Sequence, residues 1–129
     1  MSESAFMVGS EHFRIDVERP SDGLAIVEVI GDADLYSAPE LRDRLAQVVD
    51  DGARRVVVDL SETTFVDSMT LGVLLGSMKR LGTAGGRLEL VVSRPDIRRI
   101  FEITMLDRVF ELHETREQAL EARRDGDAP

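Results

Sequence analysis

The hydroxyl of Ser68 stands where a polar segment gives way to apolar residues spaced for a helix. A serine can act as a nucleophile only with a base to remove its proton and donors to stabilise an oxyanion. The nucleophile pattern G-x-S-x-G is absent, because Val66 and Thr70 occupy the two glycine places. The chain has two histidines, His12 and His113, and the spacing compels neither of them to reach Ser68. The sequence therefore argues against a serine hydrolase.

Two other roles for Ser68 remain open from the sequence. It could be the N-cap of the following helix, a role worth about 1 kcal/mol of helix stability. It could also accept a phosphoryl group, since the unpaired amides and the dipole of a helix N-terminus favour negative charge. In that case Asp67 would repel the phosphate, while the rest of the domain would tolerate it. Thr70 is a second possible acceptor, ranked below Ser68.

Four aspartates could suggest a magnesium site like that of response-regulator receiver domains: Asp32, Asp34, Asp59 and Asp67. A receiver also needs an acceptor aspartate at the end of its central strand and a lysine after a later strand. Asp59 lies one residue too early, and the single lysine, Lys79, is not in the required place. We therefore expect no metal site, and we interpret Asp32 and Asp34 as residues of an Asx turn. No glycine-rich phosphate loop opens a helix, so no cofactor is expected either.

The elements that position Ser68 are a buried strand and an amphipathic helix. The apolar run over residues 56–60 is typical of a strand covered on both faces. Residues 61–64 are polar and favour a turn, so we predict a short crossing there. The helix is predicted to begin at Asp67-Ser68 and to end at Gly82. Its core stripe is Leu71, Leu74, Leu75, Met78 and Leu81.

The opposite face of this helix is unusual, because a solvated helix face normally carries Lys and Glu. Here it carries Met69, Gly72, Val73, Gly76 and Arg80. Each glycine costs roughly 1 kcal/mol relative to alanine inside a helix, and it also lets another backbone come close. The pattern fits a shallow apolar surface for docking a partner. It fits equally well a face that another helix of the same domain covers.

The rest of the chain alternates strands and helices. A hairpin is predicted over residues 13–30, with its turn at residues 20–23. Capping boxes at residues 37–40 and 115–118 predict two helix starts. Between them we predict a strand over residues 88–92, a helix capped by Ser93 and an edge strand near residues 109–112. This order predicts an α/β domain with a mixed, mainly parallel sheet of four to five strands and helices packed on it. We expect residues 13–123 to form this domain, residues 1–12 to be a flexible leader and residues 124–129 to be a disordered tail.

The composition limits the classes of function. The chain has 129 residues, 43% of them hydrophobic, which suits one domain with a core. It has no cysteine, which excludes disulfides and thiolate sites. A net charge of −9 argues against a nucleic acid partner. We see no secretory signal and no membrane span, so we expect a cytoplasmic protein.

Several segments, in this order, resemble the STAS domain of bacterial anti-sigma factor antagonists. GDADLYSAP at residues 31–39 resembles the family's G-E-L-D corner with its following T/S-A-P. VVDLS at 57–61 resembles the strand end V-D-L-S, and FVDSMTLGVLL at 65–75 resembles F-[ILMV]-D-S-S-G-L-G-V-L. GG at 85–86, LELV at 88–91 and TMLD at 104–107 continue the match. Each segment is modest alone, and the ordered set is specific.

The resemblance implies a regulatory protein and not an enzyme. In the family, the unphosphorylated antagonist binds an anti-sigma factor that is also a serine kinase, and so frees the sigma factor. Phosphorylation, here of Ser68, blocks binding, and a serine phosphatase restores it. The predicted partner surface combines the corner loop with the start of the helix: Asp34, Leu35, Tyr36, Asp67, Ser68, Met69, Thr70, Gly72, Val73 and Gly76.

One departure from the family bears on this expectation. The family commonly has Ser-Ser-Gly or Ser-Thr-Gly, where this chain has Ser68-Met69-Thr70. Met69 enlarges the apolar surface, and Thr70 replaces a glycine close to the site. An alternative interpretation is therefore a STAS scaffold that is not phosphorylated and that senses a ligand or assembles in a larger regulatory complex.

Overall fold

The computed structural model describes the backbone of residues 13–127 and the side chains of residues 13–122. The predicted leader, residues 1–12, lies outside the described residues, as do residues 128–129 of the predicted tail. The last helix continues to Asp127, so it extends into the segment that we predicted as a tail.

The described chain contains six strands, four α-helices and one short 3₁₀ helix. The strands are β1 (Phe13–Ser21), β2 (Leu24–Ala33), β3 (Arg55–Asp59), β4 (Thr63–Val66), β5 (Arg87–Val91) and β6 (Glu111–His113). The helices are α1 (Ala38–Asp50), α2 (Ser68–Thr83), α3 (Pro95–Ile103) and α4 (Arg116–Asp127), with the 3₁₀ helix at Leu106–Arg108.

The six strands form one mixed sheet in the order β1-β2-β3-β5-β6, and β4 pairs with β2 beyond the end of β3. The β1–β2 hairpin is antiparallel, and every other pairing is parallel. This confirms the predicted mixed, mainly parallel α/β architecture. The parallel strands end at one edge of the sheet, and this edge also carries the start of α2.

The strand count differs from the predicted four to five because residues 63–66 form β4. The sequence prediction treated Thr63 and Thr64 as turn residues. In the structure Thr63 is buried, and its hydroxyl donates to the Val29 carbonyl over 2.7 Å. The turn is confined to Ser61 and Glu62. A β-branched threonine suits a strand once its hydroxyl has a partner, and that partner is 34 residues away.

Helices cover both faces of the sheet. Alternate residues of β2 and β3 point to opposite faces, so Val27 and Val58 join one apolar cluster while Ile26 and Val57 join another. The first cluster is large and includes side chains of α1, α2 and α3. The second is small and is closed by Ala119 of α4. The predicted core stripe of α2 faces the first cluster, which leaves its other face outward.

A buried ion-pair network fastens α4 to the sheet. Arg55 of β3 donates to Glu89 of β5 twice, over 2.6 and 2.8 Å, and also donates to the Ala119 carbonyl over 2.7 Å. Arg87 donates to the same carboxylate over 2.9 Å, and the His113 ring nitrogen lies 3.2 Å from it. Burial raises the pKa of Glu89, but the hydrogen bond and charge of Arg55, with the charges of Arg87 and His113, bring it below its ordinary value.

Candidate functional site

Asp67, and not Ser68, caps α2. The backbone of Asp67 is extended, and its carboxylate accepts from the Thr70 amide over 3.0 Å. Ser68 is therefore the first helical residue, and its side chain is exposed. The interpretation of Ser68 as only an N-cap is wrong. Its hydroxyl is left available at a helix N-terminus, where backbone amides favour an anion.

Thr70 does not lie on the predicted partner surface. It is fully buried, and its hydroxyl donates to the Ala33 carbonyl over 2.7 Å. The Asp67 amide donates to the same carbonyl over 3.2 Å, so both bonds tie the start of α2 to the end of β2. This corrects two expectations, that Thr70 contacts a partner and that it is a second phosphate acceptor. Its residue type reflects a buried hydrogen bond, which sequence spacing does not show.

The corner loop after β2 is held by Asp34 and Ser37. The Asp34 carboxylate accepts from the amides of Tyr36 and Ser37 over 3.0 and 3.2 Å, which confirms the Asx-type turn for Asp34. For Asp32 the prediction is wrong, because this residue belongs to β2 and accepts from the Thr64 hydroxyl over 2.6 Å. The Ser37 hydroxyl accepts from the Asp34 amide over 2.9 Å and makes no capping bond to α1. The predicted start of α1 is confirmed, with Ser37 as the N-cap residue. The predicted capping bond is absent, because the Ser37 hydroxyl bonds within the loop instead. The loop presents Leu35 and Tyr36, which are 55% and 69% exposed.

The outer face of α2 is open. Gly72 and Gly76 are exposed, and a Cβ built on either would meet no atom of the described chain within 4 Å. Met69 is 56% exposed, and Val73 is partly buried. No other helix among residues 13–122 covers this face. In the described part of the chain the face is therefore open, as the first interpretation of the glycine pattern requires.

A groove of about 460 Å³ runs along this face, and we call it the α2 groove. It contains five of the predicted site residues together with three residues that the prediction missed. The predicted ones are Ser68, Met69, Gly72, Val73 and Gly76. The others are Ser77 and Arg80 of α2 and Arg42 of α1. Arg80 was noted on this helix face but not assigned to the site, and Arg42 is 26 positions before Ser68, so only the packing of α1 on α2 reveals it.

One cluster in the described chain has the composition of a metal site. Ligand atoms of Glu89, Glu111 and His113 lie within 4.8 Å of one another. However, Glu89 is already paired with Arg55 and Arg87, so a divalent cation would sit against two guanidinium groups. The cluster serves to attach α4 and β6. His113 belongs to this cluster, so it lies on the sheet face opposite α2 and away from Ser68.

Comparisons with known proteins place the chain in a family. A STAS domain model matches residues 15–119. The anti-sigma-B factor antagonist of Staphylococcus aureus (strain NCTC 8325 / PS 47) is 34% identical over 88 residues, which are 68% of this chain and 82% of that protein. The anti-sigma-B factor antagonist of Bacillus subtilis (strain 168) is 31% identical over 101 residues, covering 78% and 91%.

Solved structures of anti-sigma factor antagonists are also similar to this chain. An anti-sigma factor antagonist from Mycobacterium paratuberculosis superposes with a TM-score of 0.79 at 35% identity, over 87% of this chain and 94% of that one. The unphosphorylated antagonist SpoIIAA superposes with a TM-score of 0.75 at 22% identity, over 90% and 100%, which supports the fold. In the part of the chain that is described, no helix is long and apolar enough to cross a membrane. The chain belongs to the STAS domain family, and within it to the anti-sigma factor antagonists.

Proposed function

We propose that this protein binds an anti-sigma factor that is also a serine kinase, and that phosphorylation of Ser68 by this kinase ends the binding. The unphosphorylated form would thereby release a sigma factor, and a serine phosphatase would restore it. The observation that carries the proposal is the exposed hydroxyl of Ser68 at the first position of α2, at one end of the open α2 groove. A kinase can reach this hydroxyl, and a phosphate there would alter the groove.

The local chemistry supports a switch at this residue. A phosphoserine carries close to two negative charges, and the first amides of α2 favour an anion at that place. Asp67 repels a phosphate on Ser68. Because Ser68 is exposed, however, the fold has no need to rearrange to admit that phosphate. A partner seated on Met69 and Gly72 would meet both the added volume and the added charge. The modification would therefore act on binding more than on stability.

The corner loop provides a second contact area for the same partner. Leu35 and Tyr36 are exposed, and the hydrogen bonds of Asp34 fix the backbone that presents them. Both Asp34 and Asp67 lie at the sheet edge where β2 and β4 end, next to each other in the pairing of Ala33 with Val66. We therefore assign to the partner surface this loop, Asp67 and the α2 groove.

The first prediction concerns charge at position 68. Ser68→Asp is expected to weaken binding to the cognate anti-sigma factor kinase at least about tenfold, since a new negative charge would be placed in the interface. Ser68→Ala should bind within about twofold of wild type and should not respond to ATP, because it lacks the acceptor hydroxyl. Isothermal titration calorimetry with the purified kinase measures both affinities.

Intact mass after incubation with the kinase and ATP gives an independent check. One phosphate on the wild-type chain and none on Ser68→Ala supports the proposal. Equal affinities of the Asp and Ala variants would remove Ser68 from the mechanism. Absence of phosphate in the presence of the active cognate kinase would favour the scaffold that is not phosphorylated.

A further inference from the structure

The charges along the α2 groove are of one sign. It is lined by Met69, Val73 and the two glycines, and among residues 13–122 the charged side chains that line it are Arg42 and Arg80. No carboxylate of this described part of the chain lines it. The whole chain, however, has a net charge of −9. The two arginines favour an anionic ligand in the groove, because they attract negative charge that the net charge of the protein repels.

Neither arginine is committed to an ion pair that would compete strongly with a ligand. The side chain of Arg42 is 63% exposed, and its one ion pair is with the adjacent Asp43, at 3.5 Å. An exposed pair of this kind contributes little. Arg80 is exposed, and it forms no ion pair within the described residues. Both guanidinium groups can therefore turn toward carboxylates of a docked partner, as forked donors suited to that geometry.

The shape of the groove suits a helix. From Ser68 to Arg80 the groove follows α2 for twelve residues, about 18 Å at the rise of an α-helix. Gly72 and Gly76 are one turn apart, and a Cβ placed on either meets no atom of residues 13–122 within 4 Å, so another backbone can come close. Amphipathic helices bind such grooves through apolar residues at helical spacing. About three turns of a partner helix would fill the length.

From this combination we infer that the α2 groove binds an amphipathic helix of the anti-sigma factor, with an apolar face on Met69 and Val73 and with carboxylates opposite Arg42 and Arg80. This inference rests on the proposed function and adds the chemistry of the partner. It also gives a reason for the effect of phosphorylation. A phosphoryl group on Ser68 would share the groove with Arg42, so it would neutralise that cation and repel the partner's carboxylates.

The test compares three charge reversals of equal size. Arg42→Glu and Arg80→Glu alter the groove, and Lys79→Glu is the matched control, since Lys79 is exposed beside Arg80 but does not line the groove. The probe is the purified anti-sigma factor kinase that binds the wild-type chain. We expect each arginine reversal to raise the Kd about tenfold and Lys79→Glu to change it less than about threefold. The difference should shrink at about 1 M salt, where screening acts over roughly 3 Å.

Each other outcome overturns the inference. Equal losses for Lys79→Glu and Arg80→Glu would indicate a long-range effect of net charge, and unchanged binding of all three would place the partner elsewhere. Tighter binding of Arg80→Glu would indicate a basic partner segment. Self-association of the wild-type chain that the arginine variants abolish, seen by sedimentation, would assign the groove to a second copy. If the wild-type chain binds no anti-sigma factor kinase at all, the proposed function itself fails.

Discussion

Replacing Glu89 with glutamine is expected to lower the free energy of unfolding by about 3–5 kcal/mol, the largest stability effect that we predict. The Glu89 carboxylate is fully buried and accepts from Arg55 twice and from Arg87 once. The glutamine has the same shape but no charge. Two guanidinium groups would then face each other around a neutral amide, and Arg55, itself buried, would keep its charge without compensation. Urea unfolding followed by circular dichroism measures the difference.

Glu111→Gln provides a matched control for this variant. Glu111 belongs to β6 and lies 3.2 Å from the same His113 nitrogen, but its side chain is 52% exposed. Exposed pairs contribute little, so this variant should stay within about 0.5 kcal/mol of wild type. Equal, small losses for both variants would contradict the assignment of Glu89 as the centre of the network.

The effect of Glu89→Gln should depend on pH in a defined direction. Burial raises the pKa of Glu89, but the hydrogen bond and charge of Arg55 and the charge of Arg87 outweigh this effect. The pKa of Glu89 therefore lies below its ordinary value of 4.5. A carboxylate with a lowered folded pKa stabilises the fold above its unfolded pKa and loses that contribution as the pH falls through the folded value. The gap between wild type and Glu89→Gln should be complete near about pH 7 and narrow below 4.5. A gap that widens in acid would contradict this sign.

The parts of the fold that follow from local pattern were predictable from the sequence. The stripe through Leu71 and Leu74 determines which face of α2 is buried, so the position of the helix and its open face could be inferred together. The strand Phe13–Ser21 begins with alternating apolar and polar residues, and the strand Leu24–Ala33 begins with an almost continuous apolar run. A clear turn signal separates the two strands. The spacing of apolar residues shows which side of an element is buried. For these elements, knowing the buried side is enough to predict the type of the element and the direction in which it faces.

Features that depend on which of several partners a polar side chain takes were not predictable in the same way. Ser37 has the spacing of a helix cap, but Asp34 engages its hydroxyl in the loop. Thr63 and Thr70 have polar side chains that satisfy buried carbonyls more than 30 positions away, which turned an expected turn into β4 and an expected surface residue into a buried one. The pairing of Arg55 with Glu89 also joins separate strands. A single sequence shows which side chains can form a hydrogen bond, but it does not show which group in the folded chain each of them bonds to.

The same distinction applies to the candidate site. Ser68, Gly72 and Gly76 belong to one continuous segment, so the helical spacing of that segment places them on the same face of α2. Arg42 joins them only because α1 packs beside α2. The helical period thus predicted the open face of α2. The charge of the groove along it depends on a contact between two helices, which no spacing shows.

Gly76→Glu is expected to reduce binding of the anti-sigma factor by about 30-fold or more while leaving the domain folded. A Cβ at position 76 meets no atom of the described chain within 4 Å, so the new side chain starts into open space in the free protein. In the complex the glutamate would occupy the α2 groove, where a partner backbone comes close. It would repel the partner's carboxylates and compete with them for Arg80, one helical turn away. A loss of about 2 kcal/mol or more at a central interface position corresponds to that factor in Kd. Calorimetric titration with the kinase and a thermal melt measure the two quantities separately.

Gly82→Glu distinguishes a local effect in the groove from a general effect of a glycine replaced in α2. Gly82 is also exposed on α2, and a Cβ there likewise meets nothing within 4 Å, but it does not line the groove. Both variants add one negative charge and remove the conformational freedom of one glycine, so their melts should be similar and their affinities should differ. A Gly76→Glu variant that unfolds while Gly82→Glu does not would show that the outer face of α2 is covered within the whole chain. Folded variants with equal affinities would mean that the partner binds elsewhere, and the role of Ser68 would then have to be explained without the groove beside it.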